Sequence, residues 1–169
     1  MAPHTAFGSL DRFEHGRLEI VDDDPRRYAF SNVFAVAAAA APYQKTAVAR
    51  NFEYVLEAIR AEGSSGWWAT PHDEFALVMD GEVEIELLDP TPAESGGASD
   101  GAVLLMDKPE GKPMGRVRAR RGHMTLLPAG RCYRFHAKTP SVLLLQTLAG
   151  AHTVYRWAEI CDGASGGPQ

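Results

Sequence analysis

Cysteine is scarce in this chain: only Cys132 and Cys161 occur among 169 residues, far apart and with no Cys-x-x-Cys. That argues against a disulfide framework and a short-spaced zinc site, and points to a reducing, cytoplasmic setting. Long apolar runs are missing too. No stretch approaches the roughly 20 residues that cross a bilayer, and the opening MAPHTAFGSLDRFEHG lacks a charged start followed by an apolar core. Neither an embedded nor an exported protein is expected. Positive charge is in deficit, with 17 Lys and Arg against 22 Asp and Glu and a formal charge of −5. Such a chain builds no broad basic field for nucleic acid or an anionic membrane. There is no internal repeat, and the only low-complexity run is Ala37 to Ala41. What remains is 45% hydrophobic and 23% charged residues, enough for one globular domain with its own core.

Gly, Pro, Ser and Asp crowd together in DPTPAESGGASDG and DKPEGKPMG, in EGSSG at 62–66 and in the tail DGASGGPQ, and each cluster reads as a loop or chain end. Between them lie apolar runs of strand length: EFALVMD, GEVEIELL, VLLM, MTLLP, CYRFHA, SVLLLQTL and HTVYRWAEI. That pattern predicts an all-β sandwich or barrel. Val83, Ile85 and Leu87 alternate with Glu82, Glu84 and Glu86, giving a strand with one buried and one wet face. The Asp80-Gly81 pair between two such runs predicts a tight hairpin. Two stretches stay ambiguous. Residues 28–41 combine aromatics with a helix-favouring alanine run, and residues 45–61 place Val48, Phe52, Val55, Leu56 and Ile59 at helical spacing.

Strand alternation places His72 and Glu74 on one face and Asp73 on the other. Further on, Gly122, Pro128 and Gly130 punctuate the run GHMTLLPAGRCY, after which Tyr133, Phe135 and Ala137 share a face. The arginines Arg116, Arg118 and Arg120, with Arg121 beside them, read as the solvated side of a strand. His4, His15, His136 and His152 show no spacing of a ligand set. EFALVMD and SVLLLQTL are apolar on both faces, so they call for a covering layer, supplied either by a partner chain or by this chain's own N-terminal segment.

These motifs resemble the cupin superfamily, whose double-stranded β-helix (a jelly-roll barrel) is defined by two motifs separated by a variable loop. Glu74 and Gly81 match the end of the first motif. Gly122, Pro128 and Gly130 match the second, with Tyr133 where the family has a histidine. The resemblance spans about residues 48–150 and favours a strand at 48–61. It implies an N-terminal extension at 1–47 packing on barrel or partner, a barrel at 48–160 and a flexible tail at 161–169. The departures are chemical. Trp67, Trp68, Ala69 and Thr70 fill the region where metal cupins carry paired histidines, and a phenol is a poor substitute for imidazole. A rearranged set of His72, Glu74 and His123 is the alternative to hydrogen-bonded interior roles for His72 and Glu74.

The longer run RNFEYVLEAIRAEGSSGWWATPHDEFALVMDGEVEIELLD, with RYAFSNVF upstream and RGHMTLLPAGRCYRFHA downstream, resembles the small (alpha) subunit of two-subunit hydroquinone 1,2-dioxygenases. That family works in bacterial breakdown of 4-nitrophenol and 4-hydroxyacetophenone. It uses non-haem Fe(II) and dioxygen to open hydroquinone to 4-hydroxymuconic semialdehyde. The resemblance implies a hetero-oligomer, a heterotetramer, in which a larger catalytic subunit binds the Fe(II) and this chain is metal-free. Its expected role is to stabilise that subunit and complete its pocket, with Trp67, Trp68, His72, Glu74 and Tyr133 as pocket or partner contacts. The tryptophan pair suits a seal over a phenolic substrate, and equally suits core packing. Two rivals stay open at this point: a metal-independent enzyme using His72 and Tyr133 as base and acid, and a non-catalytic cupin that binds an aromatic ligand.

Overall fold

The computed structural model describes residues 8–13, 22, 32–52, 54–91 and 101–156. One short helix, α1 (Val33–Ala39), precedes ten strands. The strands are β1 (Lys45–Asn51), β2 (Tyr54–Ser64), β3 (Trp68–Ala69), β4 (Glu74–Asp80), β5 (Glu82–Pro90), β6 (Val103–Leu104), β7 (Gly111–Arg120), β8 (Met124–Leu127), β9 (Cys132–Leu148) and β10 (Thr153–Val154). They form one curled sheet.

The 17-residue strand β9 organises the sheet. Its first part, Cys132 to His136, pairs antiparallel with β5, and Tyr133 and Cys132 also pair with β3. Its second part, Val142 to Gln146, pairs with β4, while β2 runs antiparallel to it from Tyr54↔Leu148 to Ala61↔Ser141. The runs CYRFHA and SVLLLQTL, read from sequence as separate strands, are thus one element. Outer strands complete each wall: β7 beside β5, β8 beside β4, β1 beside β2, and β10 parallel to β1.

The expected Asp80-Gly81 hairpin is a correction. β4 and β5 do not pair with each other; they lie end to end along β9 with Gly81 as the corner. Gly81 has φ +78°, and a Cβ there would lie 2.2 Å from Ser141 Oγ on β9. The Asp-Gly signal is therefore real as a demand for left-handed backbone, but close approach to β9 decides its use. Ser141 Oγ then accepts from the Glu82 N–H at 3.2 Å, pinning the corner.

The two ambiguous stretches resolve by context. In residues 28–41 the helix begins at Val33, where Asn32 Oδ1 accepts from the Phe34 and Ala35 N–H groups at 3.1 and 3.2 Å. Pro42 follows and cannot continue it. Residues 45–61 form β1 and β2 around Phe52, whose φ of +55° turns the chain. The helical spacing there is accidental, because inward and outward residues of two strands both carry apolar groups. HTVYRWAEI supplies only β10 among the described residues, and its end lies outside them.

The core lies inside the curl: Ile59, Val78, Val83, Ile85, Leu127, Tyr133, Phe135, Leu143 and Leu145 are buried there. Burying each such side chain contributes about 1.5–3 kcal/mol. The two outer faces differ sharply in character. On the β7–β5–β9 wall, Arg120 pairs with Glu82 at 2.6 Å, Arg116 with Glu84 at 3.4 Å and Arg134 with Glu86 at 2.7 Å. This is the solvated arginine strand read from the sequence. On the β8–β4–β9–β2 wall, register lines up Leu126, Phe75, Gln146 and Leu56 in one row, and Met124, Leu77, Leu144 and Ala58 in the next. α1 packs against β2 and β9. Leu10 N–H donates to Asp80 Oδ2 at 2.9 Å, bringing part of the N-terminal segment to the end of β4. Tyr54, Phe75, Met124 and Leu126 nonetheless remain exposed.

Candidate functional site

Inside the curl the sequence candidates meet around Glu74, the first residue of β4, whose side chain is fully buried. Tyr133, two residues into β9, donates its hydroxyl proton to Glu74 Oε2 at 2.6 Å. Thr147, near the far end of β9, donates to Glu74 Oε1. His72 lies at the rim with Nε2 3.0 Å from Thr147 Oγ1 and 3.8 Å from Glu74 Oε1. The Leu148 N–H donates to that same Nε2 at 3.2 Å. Nδ1 is buried with no hydrogen-bond partner. Asp73 faces the other way and accepts from the Ala129 N–H at 2.8 Å, as alternation requires.

Two charged residues in this cluster escaped the sequence reading. Lys45 on β1 and Glu57 on β2 are 4% and 1% exposed, deep enough that their charges must be matched locally. Lys45 Nζ donates to Tyr133 Oη at 3.4 Å and lies 3.8 Å from the centroid of the Trp68 ring. Glu57 Oε1 accepts from Thr153 Oγ1 at 2.7 Å, while its Oε2 has no hydrogen-bond partner. Burial lowers the Lys45 pKa against the pull of Glu74 and Glu57, and burial raises that of Glu57 against the pull of Lys45. The Tyr133 hydroxyl is held well above its ordinary value, first by burial and then by Glu74. It is a firm proton donor to Glu74. The only sequence signal for Lys45 and Glu57 was their position: each precedes or interrupts an apolar strand, an unmarked place for a buried charge.

The tryptophan pair divides. Trp68 points into the main core, with Lys45 over its face and the His152 ring edge-on at 5.1 Å. Trp67 packs with Ala69, Leu88 and Cys132, with the Arg134 guanidinium 5.1 Å and the Lys108 ammonium 5.9 Å from its ring centre. Both indoles are at least 95% buried, Trp67 being 4% and Trp68 5% exposed. The strand β3 holds them by pairing with β9 and β6.

His123 does not join His72 and Glu74. It lies exposed in the β7–β8 turn, where its Nδ1 contacts the Arg120 backbone. Among the described residues no group of three or more His, Cys, Asp and Glu side chains could hold a metal ion. The residues present do not fit iron: Glu74 spends both oxygens on Thr147 and Tyr133, and an ammonium lies beside it. The acid–base pair His72 and Tyr133 is likewise engaged around Glu74. The cavity bordering the cluster, between Lys45, Glu57, Thr147 and His152, measures about 10 Å³, one water's worth. Ring-sized ligands need a few hundred Å³.

No protein-family model matches the chain, and no curated protein matches it either. Solved structures do. The chain is 52% identical to a chain of hydroquinone 1,2-dioxygenase from Sphingomonas sp. TTNP3 with 4-hydroxybenzoate bound, over 94% of its own length and 97% of the other, with a TM-score of 0.88. It is 49% identical to a chain of hydroquinone 1,2-dioxygenase PnpCD in complex with Cd2+ and 4-hydroxybenzonitrile, over 95% and 97%, with a TM-score of 0.87. The chain belongs to the hydroquinone 1,2-dioxygenase family. It is a subunit of a ring-cleaving dioxygenase. A further match, to hydroquinone 1,2-dioxygenase PnpCD in complex with Fe3+, is only 12% identical with a TM-score of 0.59, and covers 85% of this chain but 41% of the other. PnpCD thus contains a second, longer chain that shares this fold.

Proposed function

We propose that this chain is the small, metal-free subunit of an Fe(II)-dependent dioxygenase that cleaves hydroquinone to 4-hydroxymuconic semialdehyde. The observation that carries the reading is near-full-length identity of about half to one of the two unequal chains of hydroquinone 1,2-dioxygenases. The iron is assigned to the longer chain, because Glu74 has both oxygens engaged by hydroxyls and no group of three or more His, Cys, Asp and Glu side chains gathers for a metal among the described residues. Iron there supplies oxygen activation and binding of the phenolic substrate.

This chain's own contribution is structural and steric. The exposed apolar residues Phe75, Met124 and Leu126 at the β8–β4 edge suit association with another chain, since exposed apolar sheet surface gains most from a covering layer. Trp67 and Trp68, fixed by strand pairing and by cations against their rings but 4% and 5% exposed, act from behind the surface as rigid packing for one wall of the phenolic pocket.

The test is to purify the tagged chain anaerobically from cells that also make the longer chain, then record dioxygen uptake on adding hydroquinone. Uptake is expected only when both chains and iron are present. Uptake by this chain alone, or no change in the longer chain's activity on adding it, would overturn the reading.

A further inference from the structure

A phenol and an indole face meet at one point inside the curl, which the Lys45 side chain holds, and two buried carboxylates, Glu74 and Glu57, act on that point from beyond ion-pair contact. Burial works against the charge of the Lys45 ammonium first, and Glu74 and then Glu57 support that charge electrostatically. Tyr133 Oη accepts from it at 3.4 Å, and the Trp68 ring lies under it at 3.8 Å. An aromatic face with anions around it is the environment that selects a desolvated cation, and Trp gives the strongest such face. Glu74, Glu57 and Tyr133 are 0%, 1% and 1% exposed, so their charges and dipoles act in a low-dielectric interior rather than in water.

We infer that the interior of this barrel is a binding site for a primary ammonium ion, with the Lys45 side chain as its tethered occupant. Three features separate such a site from a chance buried lysine. The surrounding polar groups come from three strands, β2, β4 and β9, with the indole from β3 and the occupant from β1, so the whole curl must close to build it. Glu57 Oε2 is buried with no hydrogen-bond partner, which leaves it free to serve a cation electrostatically. A cavity of about 10 Å³ adjoins Lys45 and Glu57, room into which a guest's end can adjust.

The inference does not depend on the assembly assigned above, but it bears on it. A divalent metal entering this barrel would have to settle beside a fixed positive charge, and Coulomb repulsion at such range in a dry interior is severe. The tethered ammonium therefore keeps this chain from drawing ferrous iron away from another centre.

The experiment uses the full chain with Lys45→Ala, which deletes the equivalent of n-propylammonium and leaves the cage. Thermal unfolding is followed in n-propylammonium chloride, in sodium chloride of equal ionic strength and in n-propanol. Propylammonium is expected to raise the variant's Tm by about 3 °C over sodium chloride, with no selective gain in wild type. No rise, or an equal rise in n-propanol, would overturn the inference, since filling a greasy void needs no charge. If Lys45→Ala does not fold, Lys45→Met, Glu57→Gln and the double variant form a cycle. A double variant more stable than Lys45→Met alone supports the cage; one no more stable than Lys45→Met overturns it.

Discussion

Glu74 illustrates how one residue type serves two chemistries. Its position in the cupin motif was legible from spacing, and so was the placement of His72 on its face. What decides its role is the pair of hydroxyls, from Tyr133 and Thr147, that occupy its oxygens. Those two donors come from opposite ends of β9, separations that no local pattern records. Tyr133→Phe would leave Glu74 Oε2 buried without its donor, and a stability loss of about 2 kcal/mol is expected in urea unfolding. A loss near zero would mean that the phenol packs without bonding. Glu57 gives a pH signature. Burial raises its folded pKa above the unfolded value, so the folded state holds the proton more tightly. The stabilisation is full below the ordinary carboxylate pKa of about 4.3 and is lost as pH rises through the raised folded value. Wild type should therefore lose stability relative to Glu57→Gln over that interval, and urea midpoints taken from pH 4 to pH 8 on both proteins check it.

At the scale of elements, strand existence was readable and strand partnership was not. Alternation in β5 and the arginines of β7 announced a half-wet wall, and the cross-strand pairs Arg120–Glu82 and Arg116–Glu84 are its physical form. Exposed pairs like these are screened by water and add little to stability, so their effect is to keep the wall solvated rather than to hold the fold. The fusion of two apolar runs into β9 was hidden because Lys138, Thr139 and Pro140 look like a turn, whereas they form an exposed bulge between two zones that both pair with β2. The corner at Gly81 belongs to the same geometry. Gly81→Ala combines a left-handed backbone with a Cβ pressed on Ser141, and a destabilisation of about 1–3 kcal/mol is expected. Ser141→Gly made together with Gly81→Ala should recover the steric part and leave the backbone part, a split that equilibrium unfolding of the three variants measures.

On the whole-molecule scale the chain has one polar and one apolar outer wall, and the difference is large enough to predict which one meets another subunit. The β7–β5–β9 wall already satisfies its charges internally. The opposite wall leaves Phe75 38%, Tyr54 54%, Met124 62% and Leu126 43% exposed, while α1 and residues 8–13 reach only part of it. The sequence exposed the need for a cover in EFALVMD and SVLLLQTL, but no local pattern distinguishes cover by the chain itself from cover by a partner. Leu126 pairs with Phe75 across an edge strand, so its side chain can change without disturbing the core behind it. Leu126→Glu places a charge at the exposed end of the apolar row. Burying that charge on association costs several kcal/mol, enough to weaken binding of the longer chain by about 100-fold or more. The isolated chain should keep its Tm within about 2 °C, because an exposed site moves stability by only about 0.5 kcal/mol. Arg118→Glu on the polar wall is the control, expected to leave association within about threefold. Titration of the two chains by analytical ultracentrifugation separates the cases: if Arg118→Glu dissociates the pair and Leu126→Glu does not, the contact lies on the charged wall.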